Sequence, residues 1–150
     1  MPAISGLRSC YAQVGRLVYF GRMLDKIRLQ AAGNLPEAYQ ANLGQGFDAR
    51  CCTFLGVTYA DVVAQVQGGA SDEEVLTWCH QHGGARTDDE CLIWSRFLSK
   101  VGWRDDRTPV LKKRILEYGL ANKNLTIETF FDLNEYDEGR DPVGTQAWLT

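Results

Sequence analysis

The segment Tyr19-Phe20-Gly21-Arg22-Met23-Leu24-Asp25-Lys26-Ile27-Arg28 places four charges in seven residues inside an otherwise apolar pattern. Val14, Leu17, Val18, Leu24, Ile27 and Ala31 recur at helical spacing, and Tyr19, Phe20 and Met23 widen the stripe. A helix that is apolar on nearly every side belongs at the centre of a domain. Arg22, Asp25, Lys26 and Arg28 must then be paired or exposed. Asp25 lies three residues from both Arg22 and Arg28 and can bridge either. One reading is a surface ion-pair ladder. The other is a recessed anion clamp, because guanidinium groups bind carboxylates and phosphates through two parallel hydrogen bonds.

Helix starts are frequent along the rest of the chain. Ser71-Asp72-Glu73-Glu74 and Thr87-Asp88-Asp89-Glu90 have the capping-box pattern, with Glu three residues after the cap. Thr58, Thr108 before Pro109, and Thr126 are further cap candidates. Gly68-Gly69, Gly83-Gly84, Gly102 and Gly119 stand where left-handed C-terminal caps are expected. No period-two run of β-branched residues predicts a strand. The expected architecture is all-α, a single-domain bundle of about six to eight helices with short loops. Helices are expected near 12–32 (the central one), 36–42, 47–56, 58–67, 71–82, 87–101, 108–121 and 126–138. One domain spans 1–150, with 139–150 a flexible or docking tail that ends in Trp148-Leu149.

Composition narrows the class further. Hydrophobic residues make up 45% and charged residues 23%, as in globular domains, so wholesale disorder is not expected. A net charge of −3 argues against a nucleic-acid partner, which favours a basic domain. The charge is uneven: six of the 16 basic and three of the 19 acidic residues fall in the first 50 positions. Either the two parts attract on folding or the first third binds an anion. No apolar run approaches the ~18 residues of a membrane span. The start Met1-Pro2-Ala3-Ile4-Ser5-Gly6 has no basic and apolar leader pattern, so a signal peptide is not expected. Five cysteines, two of them adjacent, fit a reduced cytoplasm rather than a disulfide framework.

Several motifs have a chemical look that their context weakens. Gly44-Gln45-Gly46-Phe47-Asp48-Ala49 has the form G-x-G-x-x-A, but no strand precedes it, so it is not a dinucleotide fingerprint. The two glycines could still offer backbone N–H groups to an anion, with Asp48 competing for them as a cap. Arg50-Cys51-Cys52 follows at a helix start, where a thiol pKa falls; burial as small core residues is the competing reading. Cys79 and His82 share a helix face and Cys91 could join them, but the spacing matches no recognised zinc pattern. Asp132–Glu138 begins like a calcium loop and then lacks the ligands. Glu128, Asp132 and Glu135 form an acidic stripe, solvated or paired with Arg22 and Lys26. Trp103-Arg104-Asp105-Asp106-Arg107 either holds helix ends together or rims a pocket.

Several of these segments together resemble one family. They are Gly6-Leu7-Arg8-Ser9, Tyr19–Arg28, Asn42-x-Gly44-x-Gly46-Phe47-Asp48 and Arg50-Cys51-Cys52-x-Phe54-Leu55-Gly56. Asp72-Glu73-Glu74-Val75-Leu76-x-Trp78-Cys79, Lys100-x-Gly102-Trp103-Arg104-Asp105 and Thr129-Phe130-Phe131-Asp132 belong with them. The chain resembles, from about Ile4 to Arg140, a family of small bacterial proteins filed as a domain of unknown function. The resemblance implies a bacterial, cytoplasmic, single-domain protein and carries no activity, cofactor or catalytic residue.

The expectation drawn from the residues is a helical binding protein with no cofactor and no metal. Its candidate ligand site comprises Tyr19, Arg22, Asp25, Arg28, Asp48, Arg50, Cys51 and Trp103. The partners expected are a small anionic ligand, an acidic segment of another protein, or a second copy as a homodimer, with no nucleic acid and no membrane. The rival readings are an enzyme with Cys51 or Cys52 as nucleophile beside an Arg clamp, and a purely structural oligomer subunit.

Overall fold

The structure, a computed structural model, describes residues 3–142. Among them a hairpin of β1 (Gln13–Val14) and β2 (Leu17–Val18) precedes eight helices. These are α1 (Phe20–Ala31), α2 (Glu37–Gln40), α3 (Phe47–Leu55), α4 (Tyr59–Gln67), α5 (Asp72–Gly83), α6 (Asp88–Lys100), α7 (Thr108–Glu117) and α8 (Phe130–Asp137). The helical class read from the caps is the class that forms. The tail pair Trp148-Leu149 lies outside the described residues. Among those described, no helix is long and apolar enough to cross a membrane.

The central helix begins later than the 12–32 expected. Gly15 adopts φ +59° at the first central position of a two-residue hairpin turn, a place that favours glycine. The strands pair antiparallel, Gln13 opposite Val18 and Val14 opposite Leu17. Val14, Leu17 and Val18 therefore enter the core from a hairpin, not from a helix. Ser95 of α6 fixes this hairpin: its hydroxyl accepts from the Val18 N–H at 3.2 Å and donates to the Arg16 carbonyl at 2.9 Å.

Both capping boxes form, Ser71 with Glu74 on α5 and Thr87 with Glu90 on α6. Thr58 caps α4 by accepting from the Asp61 N–H. Two expected caps move. Thr129, not Thr126, starts α8, accepting from the Asp132 N–H. Arg107 takes the cap position of α7, while the Thr108 hydroxyl donates to the Gly102 carbonyl at 2.8 Å.

Packing sets α1 in the middle. Leu17 through Ile27 is buried without a break. α1 packs on α4, α3 and the hairpin. The larger apolar cluster joins its Phe20, Met23 and Leu24 to Leu55, Val62, Val75, Leu98 and Phe131. A smaller cluster joins Val101, Leu111, Phe130 and Leu133. Phe47, at the start of α3, packs against both. Each fully buried Leu, Met or Phe contributes about 1.5–3 kcal/mol. Phe20, Met23, Leu24 and, nearly as buried, Ile27 keep α1 in the core, so its charges must find partners inside.

Arg8 finds its partners across Gly21. Its Nε and Nη2 donate to Asp25 at 2.7 and 2.8 Å, and its Nη1 pairs with Asp72 at 2.8 Å. Arg28 joins the same cluster through Asp72 at 2.8 Å and Asp25 at 3.5 Å. A β-carbon on Gly21 would collide with this locked guanidinium. Gly21→Ala is therefore expected to lose about 1–3 kcal/mol by overpacking, although alanine favours a helix by about 1 kcal/mol over glycine. Denaturant unfolding measures this; a gain in stability would mean that Arg8 moves aside freely.

Candidate functional site

Arg22, Asp25 and Lys26 are only 3, 8 and 4% exposed, which excludes the surface ladder. Arg22 meets Glu138 with two bonds, Nη1 to Oε1 at 2.8 Å and Nη2 to Oε2 at 2.5 Å. It also donates to the Arg8 carbonyl at 3.0 Å. Glu138, just past the end of α8, accepts further bonds from Arg140 and from the Tyr39 hydroxyl. Burial alone would raise the Glu138 carboxyl. The Arg22 and Arg140 guanidiniums and the Tyr39 hydroxyl outweigh it and hold the group below the ordinary carboxylate range. Glu135, one turn earlier, is raised by burial, which Ser9 and Arg140 only partly offset.

Lys26 has the second buried carboxylate. Its ammonium donates to the Tyr19 hydroxyl at 2.9 Å and pairs with Asp48 at 2.8 Å. The Tyr19 hydroxyl donates to the same Asp48 oxygen at 3.0 Å, and the Gly44 N–H donates to the other, also at 3.0 Å. Gly44 reaches it with φ +72°. The glycine loop thus directs an N–H at Asp48, but not as a helix cap: Gly46 holds the cap position of α3, which has no side-chain cap bond.

Tyr19 itself is held in the left-handed region at φ +69°, which costs a non-glycine residue roughly 1–2 kcal/mol. Its N–H bonds the Cys10 carbonyl at 2.9 Å, and its ring sits against Phe47 and Phe131. Burial, with Asp48 beside it, pushes the phenol far above its ordinary value, so it acts as a neutral hydroxyl.

Over these pairs opens a cleft of about 770 Å³ between α1, α2, α3, α7 and α8. Tyr19, Arg22 and Lys26 form its buried base. Tyr39, Phe47, Tyr118 and Phe130 give it aromatic walls, and Arg50, Arg107 and Arg114 stand exposed along its edge. Arg107 and Arg114 both lie over the Phe130 ring, at 5.8 and 5.4 Å from its centre, and Arg50 lies over Phe97 at 5.6 Å. None of these three guanidiniums has a carboxylate within ion-pair distance among the described residues. Asp106 and Asp137 also border the cleft.

The structure divides the residues singled out from the sequence. Tyr19, Arg22 and Arg50 border the cleft. Asp48 lies beneath it with no exposure, its oxygens already taken by Lys26, Tyr19 and Gly44. Asp25 and Arg28 belong to the separate cluster with Arg8 and Asp72. Trp103 is 45% exposed beneath the Arg104 guanidinium and is not among the cleft residues. The acidic stripe does not meet Arg22 or Lys26: Asp132 accepts from the Tyr11 hydroxyl at 2.7 Å and Glu135 from the Cys10 N–H at 3.2 Å.

Cys51 and Cys52 are buried, and burial pushes the first thiol well up and the second to about 11. A thiol held protonated is a poor nucleophile. Burial likewise raises Cys79 to about 12, while the His82 ring stacks on Trp78 with Nδ1 3.0 Å from the Trp78 carbonyl. Among the described residues no three potential metal ligands converge.

Lys26, Arg107, Arg114 and Tyr118 are missing from the candidate residues, although a pocket rim is one reading of the segment Trp103–Arg107, and its Asp106 and Arg107 do border the cleft. A signal existed on α7, since Arg107, Arg114 and Tyr118 fall at i, i+7 and i+11 on one helix face.

Glu138→Gln should cost about 3–5 kcal/mol near neutral pH, because it leaves Arg22 buried without a countercharge. A carboxyl lowered by folding contributes stability that is present above its unfolded value and lost as pH falls through its folded value. The gap between wild type and variant should therefore close as pH drops below 4.5, as read by thermal melts across pH. A gap independent of pH would mean that the carboxylate charge is not what holds Arg22. Iodoacetamide near neutral pH should leave Cys51 and Cys52 unmodified until the protein unfolds, as mass spectrometry would show; rapid labelling of the native protein would restore the thiol reading.

No curated protein and no solved structure matches the chain. A family model described as a domain of unknown function matches residues 4–140. That span holds the hairpin, all eight helices and every residue that borders the cleft. No activity comes with the description, and the chain belongs to this family, DUF5069.

Proposed function

We propose that the protein binds a small anionic molecule with an aromatic or conjugated body in the cleft between α1, α3, α7 and α8. The observation that supports this most directly is the trio Arg50, Arg107 and Arg114, which lacks carboxylate partners among the described residues and faces an aromatic-walled cavity. Guanidiniums left open beside aromatic faces suit a phosphate or carboxylate joined to a ring. The cleft volume falls within the roughly 300–1,000 Å³ of small-molecule sites. Its buried polar base favours a compact ligand over an acidic segment of a partner. At the base, Arg22 and Lys26 are each neutralised by a carboxylate, so they offer directed hydrogen bonds more than net charge.

The same reading is of a binding protein of the bacterial cytoplasm. The five cysteines, all buried and unpaired, fit a reducing compartment. The protonated Cys51 and Cys52 give a thiol-dependent reaction no support.

A thermal-shift and calorimetric screen tests the proposal, with adenosine monophosphate, phenyl phosphate and para-hydroxybenzoate as probes. Adenosine and inorganic phosphate serve as controls that carry only the ring or only the charge. At least one aryl anion should raise the melting temperature more than either control. Arg107→Ala and Arg114→Ala should each weaken that binding by about tenfold or more, the worth of a lost charge-assisted bond. No response to any aryl anion, or binding by both variants as tight as that of wild type, would overturn the assignment.

A further inference from the structure

Helix α6 turns an apolar strip to solvent. Leu92, Ile93 and Phe97 are 43, 62 and 51% exposed, while Cys91, Ser95 and Leu98 hold the opposite face in the core. Single exposed apolar residues are ordinary, but three that adjoin on one helix mark a contact surface. The strip also carries a charge at each end. Asp89 precedes Leu92 and Ile93 by three and four residues, and Arg96 follows Ile93 and Leu92 by three and four. All four side chains therefore share one face. Both charges are exposed, and neither has an oppositely charged partner among the described residues.

The run Asp89-x-x-Leu92-Ile93-x-x-Arg96 is complementary to itself when reversed. With two such helices antiparallel, and a two-fold axis between Leu92 and Ile93, Asp89 of each copy falls opposite Arg96 of the other. Leu92 then meets the second copy's Ile93, while Phe97 lies at the margin, opposite the second copy's Asp88. A closed two-fold interface needs one surface that complements itself in this way.

We propose that this face of α6 is where two copies of the chain associate, antiparallel, with Ile93 and Leu92 at the centre and Asp89–Arg96 pairs at both ends. Arg50 is seated on Phe97, so the interface abuts the edge of the cleft. The association does not depend on what the cleft binds.

Sedimentation velocity of the full chain at micromolar concentration tests the proposal. Wild type should be a dimer. Ile93→Glu, at an exposed position that leaves the core intact, should raise the dimer dissociation constant by about tenfold or more through desolvated like charges at the axis. Asp89→Arg and Arg96→Asp should each weaken the dimer, and the double variant Asp89→Arg/Arg96→Asp should recover it. Circular dichroism confirms that each variant keeps its helices. A monomeric wild type, a dimer indifferent to Ile93→Glu, or a double variant no tighter than the single ones would overturn the proposal.

Discussion

The Arg22–Glu138 pair joins the central helix to the end of the last one, and much of the structure is arranged around the need to keep it whole. Two ions taken out of water lose several kcal/mol of hydration each, which only close geometry and further hydrogen bonds offset. The pair has both. Its two parallel bonds are supplemented by the Arg8 carbonyl on one side and by Tyr39 and Arg140 on the other. Arg140 also reaches back to the Leu7 carbonyl at 2.5 Å, so the segment before the hairpin and the segment after α8 close on one point. Remove Glu138 and Arg22 is left buried with no carboxylate in ion-pair distance among the described residues; remove Arg22 and Glu138 keeps only Arg140 and Tyr39.

The same solution is used along one helix. Arg22 takes Glu138, Lys26 takes Asp48, and Asp25 takes Arg8, each from an element distant in sequence. Packing places α1 at the centre, and the pairs then dictate which segments surround it. A rearranged packing that kept the apolar contacts but separated one pair would leave a buried charge, at a cost comparable to a large share of a small domain's stability. Charge inside this core thus selects among arrangements that hydrophobicity alone would leave close in energy. It also shapes the cleft: the base is polar and pre-ordered because it is built from groups already fixed by their partners.

How much of this could be read from the chain depended on range. Ser71, Thr87 and Thr58 announce their helices because a cap and its target lie within one turn. The hairpin escaped because two residues per strand cannot show alternation, and Val14, Leu17 and Val18 also satisfy a helical spacing. Thr126 as a cap starts the last helix three residues too early: Thr129 takes the place, and the Phe130 N–H that follows bonds the distant Val101 carbonyl at 3.1 Å, a contact no local rule supplies. The segment Tyr19–Arg28 was recognisable as the place where burial and charge collide. Its partners were not, since local rules look three or four residues away and Glu138 lies 116 residues from Arg22. Asp25 and Arg28 fell outside the cleft for the same reason: Arg8 and Asp72, invisible as partners in sequence, claimed them. Arg107 and Arg114 carried a helical spacing, but nothing local says which neighbour their face meets.

Phe47 has a position whose mechanical meaning is separate from its chemistry. Its ring touches Tyr19 and Phe131 in the larger cluster and Phe130 in the smaller one, with centres 5.5, 5.5 and 6.3 Å away. It is also a wall of the cleft. One rigid plane therefore serves as the keystone between two packed bodies and as a boundary of the space between them. On that side the boundary of the space is consequently set by aromatic contact distances. Anything that wedges against Phe47 pushes on both bodies at once, so the cleft resists gradual widening and its occupant must match a gauge that the cores have already cut.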